Sequence, residues 1–427
     1  MGKIKEGINK LLQTGFFHIF ASNVANKVLG FISSMCIVRI VSKVDYGIYA
    51  AALNRLSFFL LVTGLGMVSA VLQLCSENAK DEEKNLQIYR YGSSVGIRFN
   101  ILLGVAIIIG SLTIPSKIEG ANDILLLLAF IPFAEIINEF QKIYFRSRLN
   151  NQSFAYSNTM GAFFVVVFSV TGAFLGGIKG LILGRYIAAF TTALITQRWL
   201  KAPIFFTAPN SKGIEKSFMY RMSVVSMCNN GLSELLYLFD ILCISEIMGG
   251  ADVVADYKVA IVIPTALVFI PASLIIYVYP YFSMNNKNKK WLKKNTWLLL
   301  GGMAIFNALV TLFLIAFAPQ IISIIFGKQY LTAVSIFRVS AMGYFFTGTL
   351  RTIFGNLLVT QRRIRFNFFA SLTATIVNIG SNYVLVLKMG AIGAAWTTLL
   401  VSALSGIAFA IYYFYIINKL DDEVEEG

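Results

Sequence analysis

The chain has 427 residues, 57% of them hydrophobic and 13% charged, with a mean hydropathy of +0.72 and a formal charge of +15. Such values lie outside the range of ordinary soluble domains and point to an all-α polytopic membrane protein. The positive charge is explained by loop asymmetry and calls for no nucleic-acid partner.

Residues 1–15 place Ile4, Ile8, Leu11 and Leu12 on one helical side and Lys3, Lys5 and Lys10 on the other, as in a cytoplasmic amphipathic helix lying along headgroups. A cleaved leader is not expected, because His18, Asn23 and Lys27 interrupt the following apolar run. Crossing a hydrocarbon layer about 30 Å thick takes roughly 20 apolar residues. About 12 segments of that kind follow, at 16–38, 47–75, 93–114, 124–144, 154–176, 181–200, 222–248, 257–282, 295–318, 333–358, 367–387 and 392–417. None alternates as barrel strands do, so the spans are read as helices.

The first span carries Asn23, Asn26, Lys27, Gly30, Ser33 and Ser34 on one stripe, and Arg55 lies inside the second. Span four carries Glu135, Asn138, Glu139 and Lys142, whose spacing predicts a local ion pair. Arg98, Arg185 and Lys258 fall near span ends, where snorkelling to the interface is expected. A basic linker at 201–217, with Pro203 and Pro209, separates the first six spans (16–200) from the last six (218–417). Span seven aligns Ser223, Ser226, Asn230, Ser233, Tyr237 and Asp240, flanked by Glu234. Pro264, Pro271 and Pro280 mark bending points in span eight, and span ten bears Arg338, Ser340, Tyr344, Thr347 and Arg351. Residues 418–427 form an acidic tail.

Basic residues alternate between gaps. The N-terminus, every second loop and the tail hold about 23 of the 36, so both termini are placed in the cytoplasm. The two halves also repeat. Gly177-Ile-Lys-Gly180-Leu181 parallels Gly390-Ala-Ile-Gly393-Ala394, Asp45-Tyr46 parallels Asp256-Tyr257, and Cys36 falls against Cys243. Six spans repeating as six imply two lobes related by a pseudo-twofold axis along the membrane normal.

Enzyme signatures are missing from the sequence: there is no phosphate-cradling G-x-x-x-x-G-K-[ST], no G-x-S-x-G, and a single histidine cannot make H-E-x-x-H. The four cysteines stand at no metal-ligand spacing. Buried charge is the main chemical feature. Lys27, Arg55, Arg338 and Arg351 would together cost roughly 10 kcal/mol against lipid, as much as a typical domain's whole stability. They are therefore expected to line an internal hydrated cavity that attracts an anion, with Asn23, Asn26, Asn230, Glu234, Tyr237 and Asp240 as its polar lining. Asp240 and Glu234 have two readings: they bind a coupling Na⁺ or H⁺, or they neutralise Arg338 or Arg351. Charge alone leaves the cargo open between lipid-linked phosphates and an acidic soluble metabolite.

Arg39-Ile-Val-Ser-Lys-Val-Asp-Tyr-Gly-Ile-Tyr49, Gly64-Leu-Gly-Met67, Ala255-Asp-Tyr-Lys-Val-Ala260, Pro319-Gln-Ile-Ile-Ser-Ile-Ile-Phe-Gly327 and Gly390-Ala-Ile-Gly-Ala-Ala-Trp396 occur in this order. With them the chain resembles, over essentially its whole length, the bacterial polysaccharide flippases of the multidrug/oligosaccharidyl-lipid/polysaccharide (MOP) exporter superfamily. The resemblance implies a V-shaped pair of six-helix lobes in the bacterial cytoplasmic membrane. It implies alternating-access transfer of an undecaprenyl-pyrophosphate-linked oligosaccharide for O-antigen, capsule or exopolysaccharide assembly, in company with glycosyltransferases and a polymerase. No cofactor is implied beyond ion coupling or the membrane potential. A multidrug antiporter of the same superfamily is the main alternative, and a membrane-embedded polymerase or ligase is the enzyme alternative.

Overall fold

The computed structural model describes residues 16–78, 81–207, 215–361 and 363–420; the amphipathic segment 1–15 and the tail beyond 420 lie outside them. The described residues are predominantly helical, without a strand among them. They form two compact units, residues 1–234 and 235–427.

The first unit contains α1 (Phe16–Ile40), α2 (Lys43–Leu60), α3 (Met67–Glu77), α4 (Glu82–Thr113), α5 (Ala121–Leu127), α6 (Ile131–Arg146) and α7 (Asn151–Trp199). Helix α8 (Lys216–Met248) leads into the second unit, which continues with α9 (Ala251–Leu267), α10 (Phe269–Met284), α11 (Lys289–Ala316) and α12 (Ala318–Ile325). It closes with α13 (Val334–Phe346), α14 (Thr352–Thr360), α15 (Ile364–Met389) and α16 (Ala391–Asn418). Short polar side chains start several helices by accepting an orphan amide: Ser42 from Asp45, Asp81 from Lys84, Asn150 from Ser153 and Asn288 from Trp291.

The unit boundary falls inside α8 rather than in the 201–217 linker expected from sequence. The start of α8 shares a core with the first unit: Met219 is fully buried with Met67, Val71, Tyr89 and Phe140. A Cβ on Gly66 would sit 2.1 Å from the Ser223 carbonyl oxygen, so only glycine lets these backbones approach.

Among the described residues eight helices are long and apolar enough to cross a membrane, and one of them, α7, holds both the fifth and sixth expected spans. Gly176 and Gly177 (φ 57°, ψ −139°) fold α7 into a helical hairpin. The expected spans at 124–144 and 333–358 are instead assembled from shorter pieces. The first is α5 plus α6; the second is α13 and α14 joined by a π-helical turn at Thr347–Arg351.

Interruptions free backbone groups that have no water to bond, and polar side chains pack at three of them, bonding backbone groups at two. Between α2 and α3 the residues Gly64, Leu65 and Gly66 are all left-handed. There fully buried Asn100 accepts from the Gly64 amide (2.7 Å) and donates to the Pro132 carbonyl (2.8 Å). At the α5–α6 break the Tyr186 hydroxyl accepts from the Phe130 amide (3.1 Å) and donates to the Leu127 carbonyl (3.0 Å). Beside the π turn, fully buried Asn307 donates to Thr349 (3.0 Å) and accepts from the Tyr344 hydroxyl (2.6 Å).

The repeat seen in sequence is present in backbone geometry. Gly177 and Gly390 lie 213 residues apart (390 minus 177), and Gly390 has φ 67° and ψ −151°, close to the values at Gly177. The glycines three residues later, Gly180 and Gly393, each press against a carbonyl of the preceding helix, Gly172 and Leu385 respectively.

Candidate functional site

The most concentrated polar chemistry in the second unit surrounds Asp240 of α8, only 5% exposed. Its Oδ2 accepts from the Tyr257 hydroxyl of α9 (2.6 Å) and the Thr398 hydroxyl of α16 (2.6 Å), while Oδ1 accepts from the Asn382 amide of α15 (2.7 Å). Asn382 also donates to Asn378, one turn earlier (3.0 Å). Four helices thus converge on one carboxylate through neutral donors alone. Among the described residues no Lys or Arg pairs with it, so the expectation that Asp240 neutralises Arg338 or Arg351 is corrected.

Burying a carboxylate without a compensating charge costs several kcal/mol. A proton or a bound cation removes that cost. The donor set fits a hard monovalent cation: one carboxylate, hydroxyl oxygens that can accept as well as donate, and the Asn382 Oδ1, which is buried and has no hydrogen-bond partner among the described residues. No group of three or more His, Cys, Asp or Glu side chains that could hold a metal ion occurs among the described residues.

The first unit has a different polar centre. Arg185, in the second arm of α7, donates from Nη2 to Glu135 Oε1 of α6 (2.6 Å) and from Nη1 to the Tyr49 hydroxyl of α2 (3.2 Å). Arg185 therefore does not snorkel to an interface as its sequence position suggested, because a carboxylate on a neighbouring helix captures it. Only Glu139 forms the expected local pair, with Lys142 at 2.6 Å.

The four cations expected to line a cavity occupy different settings. Arg55 is half-buried and donates to the carbonyls of Ile114 (3.2 Å) and Pro115 (2.6 Å) and to Asn122 (2.8 Å), so it ties down the α4–α5 turn. Arg338 is exposed and donates from Nε to the Ile315 carbonyl near the end of α11 (3.3 Å), a helix-terminus contact. These two guanidiniums are thus engaged by backbone oxygens, which a bare count of buried charge did not foresee. Lys27 is exposed on α1, and half-buried Arg351 closes the π turn; neither forms an ion pair or hydrogen bond with a described residue.

Of the expected polar lining, Asn23 and Asn26 meet on Asn158 of α7: Asn26 donates to its Oδ1 (2.7 Å) and Asn158 donates to Asn23 (3.3 Å). This joins α1 to α7. Glu234 is exposed, and the side chains of Asn230 and Tyr237 lie outside the described residues. Sequence reasoning missed Asn378, Asn382, Thr398 and Asn158. The i,i+4 pair Asn378/Asn382 in an apolar helix was the available signal.

A family model described as "Polysaccharide biosynthesis protein" matches residues 36–335. No curated protein matches the chain by sequence. Among solved structures, the chain is similar to the lipid II flippase MurJ in an inward closed conformation, at 18% identity and a TM-score of 0.72 over 94% of this chain and 87% of that one. It is also similar to an inward-facing multidrug resistance MATE transporter of the MOP superfamily, at 15% identity and a TM-score of 0.65 over 93% and 94%. A MOP superfamily transporter from Pyrococcus furiosus, described as having a binding pocket of reversed polarity, matches at 15% identity and a TM-score of 0.52 over 95% and 94%. The fold is that of the MOP transporters.

Proposed function

This chain belongs to the polysaccharide biosynthesis protein family, and from that premise we propose that it is a flippase for a lipid-linked oligosaccharide. The cargo is an undecaprenyl-pyrophosphate-linked repeat unit, moved by alternating access across the bacterial cytoplasmic membrane for O-antigen, capsule or exopolysaccharide assembly. The observation that carries this reading is the conjunction of a polysaccharide-family sequence with a MOP transporter fold.

In this reading Lys27 of the first unit and Arg351 of the second are each open to an anionic group of the cargo, because neither charge is engaged by a described residue. Arg55 and Arg338 position the helix ends that they cap. Asp240, with Tyr257, Asn382 and Thr398, holds the coupling Na⁺ or H⁺, which supplies the charge that makes this buried carboxylate stable. Outward transfer of the anionic head group is also favoured by an inside-negative potential, by about 2.3 kcal/mol per charge per 100 mV.

Reconstitution tests the reading. Purified protein in liposomes should speed the exposure of a fluorescent polyprenyl-pyrophosphate glycan to a membrane-impermeant quencher. Transfer no faster than in protein-free vesicles would refute it, and selective export of a cationic dye instead would favour the multidrug antiporter.

A further inference from the structure

The two polar centres draw on the same two spans of the repeat, the second and the sixth, yet they differ by one permanent charge. Tyr49 and Tyr257 both lie on the second span of their half, in α2 and α9 respectively, although the sequence repeat itself sets Tyr46 against Tyr257. The spacing that relates Gly177 to Gly390 also relates Arg185 to Thr398. In both units a residue of the sixth span bonds a carboxylate, and a tyrosine hydroxyl of the second span completes the cluster, on the carboxylate itself in the second unit and on Arg185 in the first. In the second unit the donor is the neutral hydroxyl of Thr398 and the acid is Asp240. In the first unit the donor is the guanidinium of Arg185, and the acid is Glu135 from the fourth span.

A guanidinium is charged at every physiological pH and cannot dissociate from the chain. We propose that Arg185 is a tethered substitute for a monovalent cation: it keeps Glu135 and Tyr49 of the first unit in the arrangement that a bound cation would otherwise hold, and so excludes coupling ions from that unit. The side chains of Arg185 and Glu135 are 21% and 42% exposed, so the pair is sheltered enough for its charge balance to matter while leaving Glu135 accessible to an ion if Arg185 is removed. Sequence differences at one pseudo-equivalent position, Arg185 against Thr398, thereby assign cation response to one half of a repeated fold. This rests on the reading of Asp240 as a cation site for its comparison, but it is tested without that site.

The experiment measures the melting temperature of the purified full chain in detergent with NaCl, against equal choline chloride to remove ionic-strength effects. It is performed in the D240N background, so that the second unit contributes nothing. With Arg185 intact, sodium should give no specific shift. Adding R185T, which installs the second unit's residue, should create a sodium-specific upward shift, and adding E135Q to that variant should abolish it. A sodium-specific shift with Arg185 intact, or none after R185T in a folded protein, overturns the proposal. Should R185T fail to fold, R185T/E135Q decides: recovery of a monodisperse protein upholds the charge-substitution role, and continued failure reduces Arg185 to packing and overturns it. Separately, absence of a sodium-specific shift in the unaltered chain counts against the Asp240 reading and leaves the R185T comparison intact.

Discussion

Asn100 and Asn307, 207 residues apart (307 minus 100), are both fully buried amides on the third span of their half and pack at helix interruptions, Asn100 against the Gly64 amide and Pro132 carbonyl, Asn307 against the side chains of Thr349 and Tyr344. The same spacing relates Cys36 to Cys243. Their role is imposed by the solvent. Broken helices inside lipid have no water to bond, and an asparagine brings both a donor and an acceptor to the gap. Replacing Asn100 by Leu strands the Gly64 amide and the Pro132 carbonyl and should cost about 2 kcal/mol. Asn307→Leu strands Thr349 and the Tyr344 hydroxyl and should cost a similar amount. Thermal unfolding in detergent measures both, and an unchanged melting temperature would show that other groups fill these roles.

Asp240→Asn keeps the shape and most hydrogen bonds of the buried carboxylate while removing its charge. The expected outcome is a folded protein whose transport no longer responds to replacing Na⁺ by choline or to collapsing a proton gradient. Retained ion dependence in reconstituted vesicles would move the coupling site elsewhere.

Lys27→Gln and Arg351→Gln should each slow glycan transfer at least about tenfold, the equivalent of one lost interaction of about 1.4 kcal/mol. Arg55→Gln should act through stability, because its bonds run to Ile114, Pro115 and Asn122. Comparing initial transfer rates with melting temperatures separates the two classes. A large rate loss at Arg55 with unaltered stability would return it to the substrate-binding set.

Gly177→Ala and Gly390→Ala place a side chain at φ near 60° with ψ near −145°, a region open almost only to glycine. Each should cost about 1–3 kcal/mol even though no neighbouring atom lies within 4 Å of a Cβ on Gly177. Because the penalty at 177 is conformational, it should be the same for Ala and Ser there. A marked difference between those two variants would point to contacts instead.

The sequence by itself determined the membrane class, the helical nature of the spans, and the repeat of one half in the other with the spacing of Gly177 and Gly390. These follow from composition, periodicity and spacing, which are properties of residues close together in the chain. It also flagged Asp240 and Arg351 as unusual, since charge in an apolar run is costly wherever the helix goes. Tertiary structure alone decided which charges are already answered. Arg185 lies 50 residues from Glu135, and Thr398 lies 158 from Asp240. Nothing local foretells that a guanidinium meets a carboxylate in one unit while a carboxylate meets only neutral donors in the other. The Asn residues that repair broken helices were opaque for the same reason: the energy of a buried polar group is set by what packing brings within 3 Å of it, not by its neighbours in sequence.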